Sequence, residues 1–204
     1  MVRTLLLVVL TGGVIANGQT KRPLTPEDIA GLNRASDAQV SYDGRRVVYV
    51  LTRWDRERDR YNSDLWMVTE VRENLQLTSG EKRDDHPRWS ADGSRIAFLS
   101  ERGAEAGAQI YLLSTRMGGE VVQLTRHPRP VERFEWSADG RYIAFLAAAP
   151  RPETHALPHR APIVVDGDDD PHQLWVVEVA TGKIEQLTTG KSHLVSFGCS
   201  PDLA

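Results

Sequence analysis

The residues able to do chemistry in this 204-residue chain are few and scattered. Gly198-Cys199-Ser200 is only superficially like a Gly-x-Ser-x-Gly nucleophile elbow, which needs a serine held between a strand and a helix. Here the triplet runs into a turn. Cys199 is the single cysteine, so neither an internal disulfide nor a multi-cysteine zinc site is available. With no local basic partner to hold a thiolate, it reads as a small packing residue. His155 and His159 have the i, i+4 spacing that puts two imidazoles on one helix face, but Pro158 opposes a helix there and no Glu follows His155. Zinc asks for three or four ligands, so solvated loop histidines are the plainer reading. Asp166-Gly167-Asp168-Asp169-Asp170 gathers carboxylates of the kind calcium takes, without the regular alternation and distal Glu of a calcium-binding loop. A polar turn before a strand fits it better. No Gly-rich loop between a strand and a helix offers a phosphate cradle. No catalytic, cofactor-binding or metal-ligating residue is therefore assigned within the chain.

Composition removes further classes. Twenty-five Lys and Arg stand against 28 Asp and Glu, a formal charge of −3, which draws neither nucleic acid nor anionic lipid. The run Arg53-Trp54-Asp55-Arg56-Glu57-Arg58-Asp59-Arg60 mixes signs and reads as a solvated loop between strands, not a nucleic-acid contact. With 16 Gly and 11 Pro the chain is neither collagen-like nor disordered, and its length suffices for a sizeable core.

The first eighteen residues look like an address. Arg3 precedes the apolar run Thr4–Leu10 and a softer stretch to Ile15, the layout of a secretory signal peptide cleaved after Ala16 or Gly18. The run is too short to span a bilayer, so no membrane contact is expected beyond this leader, and the mature chain is expected to be exported, periplasmic or secreted.

The elements that would position any site follow a repeat. Ser41-Tyr42-Asp43-Gly44, Ser90-Ala91-Asp92-Gly93 and Ser137-Ala138-Asp139-Gly140 each precede an apolar run, with Asp43, Asp92 and Asp139 spaced by 49 and 47 residues. A fourth copy opens at Ser200-Pro201-Asp202. Two further markers keep the order: Leu65-Trp66-Met67-Val68, Ile110-Tyr111-Leu112-Leu113 and Leu174-Trp175-Val176-Val177, then Gln-Leu-Thr ending at Thr78, Thr125 and Thr188. Asp-Gly is a strong hairpin signal, and the Ser before it can bond into the turn. Runs such as Ile96-Ala97-Phe98-Leu99 are apolar at successive positions, so both faces of the sheet must be covered. Four short antiparallel strands, repeated and covered on both faces, make a β-propeller blade. The predicted fold is all-β: an incomplete propeller of about three blades (36–79, 80–126, 127–189) with the start of another (190–204). Trp89 and Trp136 are expected between blades.

Ahead of the repeat, Thr25-Pro26-Glu27-Asp28 within a lead-in segment, 19–35, predicts a short helix with Thr25 as N-cap, Pro26 at its first position and Asp28 completing a capping box. An insertion, roughly Ala147 to His172, carries five prolines and predicts an extended loop. Since propellers close with four to eight blades, the chain reads as a fragment or truncated product whose open sheet edges invite pairing.

The repeat resembles that of the Tol-system periplasmic propeller protein and of prolyl oligopeptidase-family serine peptidases. Arg22-Pro23-Leu24-Thr25-Pro26-Glu27-Asp28, Ser36-Asp37-Ala38-Gln39-Val40 and Arg60-Tyr61-Asn62-Ser63-Asp64-Leu65-Trp66 are similar to the start of acylaminoacyl-peptidase-type members. The first blade departs from the pattern with Tyr42 where a Pro is usual. The adjacent Glu pair of dipeptidyl peptidase members is also missing. The resemblance implies a propeller that caps a C-terminal α/β-hydrolase domain and restricts access to short or unfolded peptides. Those peptide substrates would meet a Ser-Asp-His triad in that domain, none of whose positions lies in this chain. The other implication is a non-enzymatic Tol-like scaffold with envelope-protein partners on a propeller face.

Overall fold

The computed structural model describes residues 22–103, 106–115, 119–150, 170–190 and 192–200. Among them, strands form three four-stranded antiparallel sheets, each a simple meander. The first blade comprises β1 (Arg34–Val40), β2 (Arg46–Asp55), β3 (Arg60–Thr69) and β4 (Asn74–Gln76). The second comprises β5 (Asp84–Trp89), β6 (Arg95–Ser100), β7 (Gln109–Ser114) and β8 (Val121–Gln123). The third comprises β9 (Val131–Trp136), β10 (Tyr142–Ala148), β11 (His172–Glu178) and β12 (Ile184–Gln186). Strand β5 packs against β1, β2 and β3 of the blade before it and against β9 of the blade after it, so the first strands of successive blades gather on one side. This is an incomplete propeller, as the repeat predicts.

Each blade's first hairpin is built by its Ser-x-Asp-Gly turn. Ser90 Oγ lies 2.6 Å from Asp92 Oδ1 and accepts from the Arg95 amide at 3.0 Å. Ser41 and Ser137 make the same pair of contacts. The glycines take φ of 71°, 66° and 67° at Gly44, Gly93 and Gly140, the left-handed region that a side chain would strain. Hydrogen bonds from Ser90 and then Ser94 hold the Asp92 carboxyl down at about 2, below its ordinary 3.8. The folded state therefore gains from this carboxylate above pH 3.8, and the gain disappears as pH falls through about 2. In a carbon-detected NMR titration, Ser90→Ala is expected to raise the Asp92 midpoint toward 3.8. An unmoved midpoint would show that the serine is not what stabilises the charge.

Burial separates the middle blade from its neighbours. Ile96 to Ser100 in β6 and Gln109 to Leu113 in β7 are buried without interruption. In β11 only alternate residues, Gln173, Trp175 and Val177, are buried. The expected two-sided burial is thus realised where a blade has neighbours on both sides. Side chains of β6 divide accordingly. Ile96 and Phe98 join Val48, Val50 and Leu65 of the first blade. Ala97 and Leu99 join Phe134, Ile143, Phe145 and Trp175 of the third.

Two polar devices recur in register with the repeat. Trp89 Nε1 donates to the Gln39 carbonyl at 3.0 Å, and Trp136 Nε1 donates to the Arg88 carbonyl at 3.1 Å. Both indoles therefore bridge blades, as expected. In the first blade this position is Val40, which is 63% exposed. In the second device, Thr78, Thr125 and Thr188 hydroxyls accept from the Leu65, Ile110 and Leu174 amides at 3.0, 2.9 and 2.9 Å. Thr125 and Thr188 also donate to Gln109 and Gln173 Oε1, both at 2.9 Å. Those glutamine amides in turn tie down the link to the next blade, through the His127 and Arg129 carbonyls and the Gly190 and Ser192 carbonyls. The first blade has Asp64 in the glutamine's place, buried and 3.2 Å from Arg53. Burial pushes its carboxyl up and Arg53 pulls it back.

Helix α1 (Pro26–Ala30) forms with the expected capping box, Asp28 N donating to Thr25 Oγ1 at 3.3 Å and Thr25 N to Asp28 Oδ2 at 2.9 Å. The charged run from Arg53 to Arg60 needs correcting. It is not a loop: β2 continues through Asp55 and β3 starts at Arg60, leaving a four-residue turn. Trp54 and Tyr61 pair across the strands with ring centroids 4.9 Å apart, and the guanidinium of Arg53 lies 5.3 Å from the Trp66 ring centroid. These cross-strand contacts extend the hairpin through a stretch that its charges made look solvated.

Candidate functional site

A concavity of about 1200 Å³ opens against the first strands of the three blades. Three of its lining side chains come from one repeated place in the sheet. Asp37, His86 and Arg133 each stand four residues before their blade's turn serine. Asp37 and His86 lie in β-bulges, where the register slips between Ser36 and Gln39 and between Asp85 and Arg88. Both adopt left-handed backbone, with φ of 46° and 58°. A bulge re-aims a side chain, and Asp and His are among the residues that tolerate this conformation. In the third blade the slip lies between Leu146 and Ala147 of β10, and Arg133 remains paired in the ladder.

The charges of the lining do not cancel. Arg34, Arg83, Arg88 and Arg133 line the concavity with Asp37 and Asp85, an excess of two positive charges. Arg88 Nη1 donates to both oxygens of Asp37, at 2.9 and 3.0 Å, and Gln39 Nε2 adds a third bond at 2.8 Å. Arg83 sits 3.7 Å from Asp85, a looser pair. Burial pushes the Asp85 carboxyl up, opposed by Arg83. Burial, aided by Arg88, pushes His86 below 6.5, so its imidazole is neutral at pH 7. Its ring tilts against Phe134 at 6.4 Å. Arg34 and Arg133 are exposed and make no side-chain hydrogen bond or ion pair among the described residues. Ile29, Leu32 and Tyr61 supply the apolar part of the wall.

The residues singled out for chemistry lie elsewhere. Cys199 is exposed, so it is not the packing residue expected of it. It occupies the place in the fourth copy that Trp89 and Trp136 hold in theirs, its amide 3.3 Å from Glu135 Oε2. Burial and the Glu135 charge push the thiol up, which disfavours the reactive thiolate. His155, His159 and Asp166 to Asp169 lie outside the described residues. Asp170 is paired with Arg129 at 2.8 Å. A second histidine pair, His172 and His193, is brought together by the fold from positions 21 residues apart. His172 Nε2 lies 3.1 Å from Glu132 Oε1, with the His193 ring edge-on at 5.4 Å. Among the described residues no group of three or more His, Cys, Asp or Glu is arranged to hold a metal, and no helix is long and apolar enough to cross a membrane.

Comparison with known proteins places this geometry. No protein-family model matches the chain. It is 40% identical over 114 residues to the uncharacterized peptidase YuxL of Bacillus subtilis, a match covering 55% of the chain and 17% of that protein. It is 35% identical over 89 residues to dipeptidyl-peptidase 5 of Porphyromonas gingivalis, covering 43% of the chain and 13% of that protein. Over these stretches the chain is similar to two peptidases. The chain spans less than a fifth of the length of these two relatives. Solved structures show the same fold. Acylaminoacyl peptidase of Pyrococcus horikoshii superposes with a TM-score of 0.59 at 19% identity, over 78% of this chain and 25% of its own. The β-propeller domain of the Trilobed protease from Pyrococcus furiosus gives 0.52 at 17%, over 76% and 42%. TolB from Acinetobacter baumannii gives 0.52 at 23%, over 74% and 31%. The expected resemblance to the propeller part of prolyl oligopeptidase-family peptidases, with Tol-like repeats, holds.

Proposed function

We propose that this chain is the N-terminal propeller part of an exported serine peptidase and that it gates peptide access to a hydrolase domain encoded beyond Ala204. The observation that carries the reading is the 40% identity to a peptidase over more than half the chain. In this reading the concavity on the first strands is where the peptide lies. The chain itself contributes shape and charge, and the bond-breaking residues come from the hydrolase. The test is to sequence the source gene past the Ala204 codon and to treat its product with a fluorophosphonate probe. Further blade repeats, a Gly-x-Ser-x-Gly elbow and a labelled serine are expected. A closed propeller followed by a stop codon, with no labelled product, would overturn the reading. Export is tested by N-terminal sequencing of the protein recovered outside the cytoplasm. Mature ends at Asn17 or Gln19 are expected, and an intact Met1 in the cytoplasm would refute it.

The likeness to TolB favours a second reading, a non-enzymatic scaffold that binds envelope proteins through a propeller face. It is the reading that survives if the probe labels nothing.

A further inference from the structure

We infer that the concavity selects acidic peptides, with Arg34 and Arg133 as the residues that receive their carboxylates. The step from ligand to substrate rests on the proposed function; the charge preference itself rests on the geometry of the cleft. Of the four guanidinium groups on its wall, Arg88 is committed to Asp37 by two bonds and Arg83 leans on Asp85 at 3.7 Å. Among the described residues Arg34 and Arg133 are left with their charge unanswered. His86 neither adds to that surplus nor offsets it, since it is neutral at pH 7. The chain as a whole carries −3, so this positive patch is local and set against an acidic background. A cleft of one sign with low-dielectric walls focuses its field and raises the local concentration of opposite charge. Guanidinium groups suit carboxylates in particular, because their forked N–H donors match two oxygens at once.

The layout also narrows the ligand. Arg34 belongs to β1 and Arg133 to β9, so a ligand that meets both must cross β5. That favours an extended chain with more than one carboxylate over a single small anion. Nucleic acid fits poorly, because single strands need aromatic platforms for their bases and Tyr61 is the one Phe, Tyr or Trp ring on this wall. Ile29, Leu32 and Tyr61 instead offer apolar contact to the side chains that alternate with the acidic ones.

The test is fluorescence anisotropy on the full chain with labelled tetraglutamate and tetralysine peptides, and with tripolyphosphate and an oligonucleotide as competitors. Tetraglutamate is expected to bind at least about tenfold more tightly than tetralysine and to weaken as salt rises. The double variant Arg34→Gln/Arg133→Gln is expected to weaken it about tenfold or more, the loss of charge-assisted contacts. The control Arg45→Gln/Arg141→Gln removes two exposed arginines of the blade turns and is expected to leave binding unchanged, with both variants melting as the parent does. Equal affinity for the two peptides overturns the inference. So does an equal loss in the control, or tighter binding of tripolyphosphate or the oligonucleotide. The probe-labelling experiment separates the two proposals. A labelled serine with no acidic preference defeats this inference alone, whereas a preference without labelling defeats the peptidase reading and leaves the cleft.

Discussion

Replacing Arg102 by methionine is expected to remove roughly 3–5 kcal/mol of stability, the cost of stripping a buried carboxylate of its partner. That carboxylate is Asp84, at the start of the second blade's first strand and fully buried. The Arg102 guanidinium pairs with its Oδ2, while Oδ1 has no hydrogen-bond partner among the described residues. Arg102 is itself held in place by Ser100 Oγ at 3.0 Å and lies 5.5 Å from the Phe98 ring centroid and 5.8 Å from that of Tyr111. Methionine keeps the apolar contact and loses the charge. Urea unfolding of Arg102→Met and of the double variant Arg102→Met/Asp84→Leu checks the assignment. Removing both charges is expected to recover most of the loss, since well-packed apolar replacements of buried pairs are often neutral. A double variant no better than the single one would mean that the damage came from packing.

Phe98→Ala is expected to cost a similar amount, about 3–5 kcal/mol, out of a total that for such domains is about 5–15 kcal/mol. Phe98 is wholly buried and reaches across to Val48, Val50 and Leu65 of the first blade. Its truncation opens a void between two blades as well as losing apolar contact, and a sheet-on-sheet joint cannot close that void without shifting a whole blade. Val122→Ala serves as the comparison; that side chain is 56% exposed and the change is expected to stay within about 0.5 kcal/mol. A Phe98→Ala loss below about 1 kcal/mol would mean that the first two blades do not depend on this contact.

Much of the fold was legible because its signals are local or strictly periodic. Asp43, Asp92 and Asp139 marked turns whose glycines do take positive φ, and Thr25 with Asp28 marked a cap that forms. Trp89 and Trp136 could be placed between blades from size and spacing alone, although their carbonyl acceptors could not. The charged run after Arg53 misled because charge was weighed and cross-strand pairing was not; Trp54 facing Tyr61 is visible only once the register is known. The cleft was illegible for a related reason. Its charges come from positions 34, 37, 83, 85, 88 and 133, and bulges of two residues decide which side chains reach it. Counting from the turn serines would have aligned Asp37, His86 and Arg133, but nothing in that alignment says that Arg88 reaches back to Asp37.

The indole bonds have a direction. Trp89 of the second blade reaches an acceptor in the first, and Trp136 of the third reaches one in the second. The second and third sheets are each fastened to residues that leave the ribosome ahead of them. Growth of the chain can thus add one finished layer at a time, every newcomer finding its anchorage already laid down.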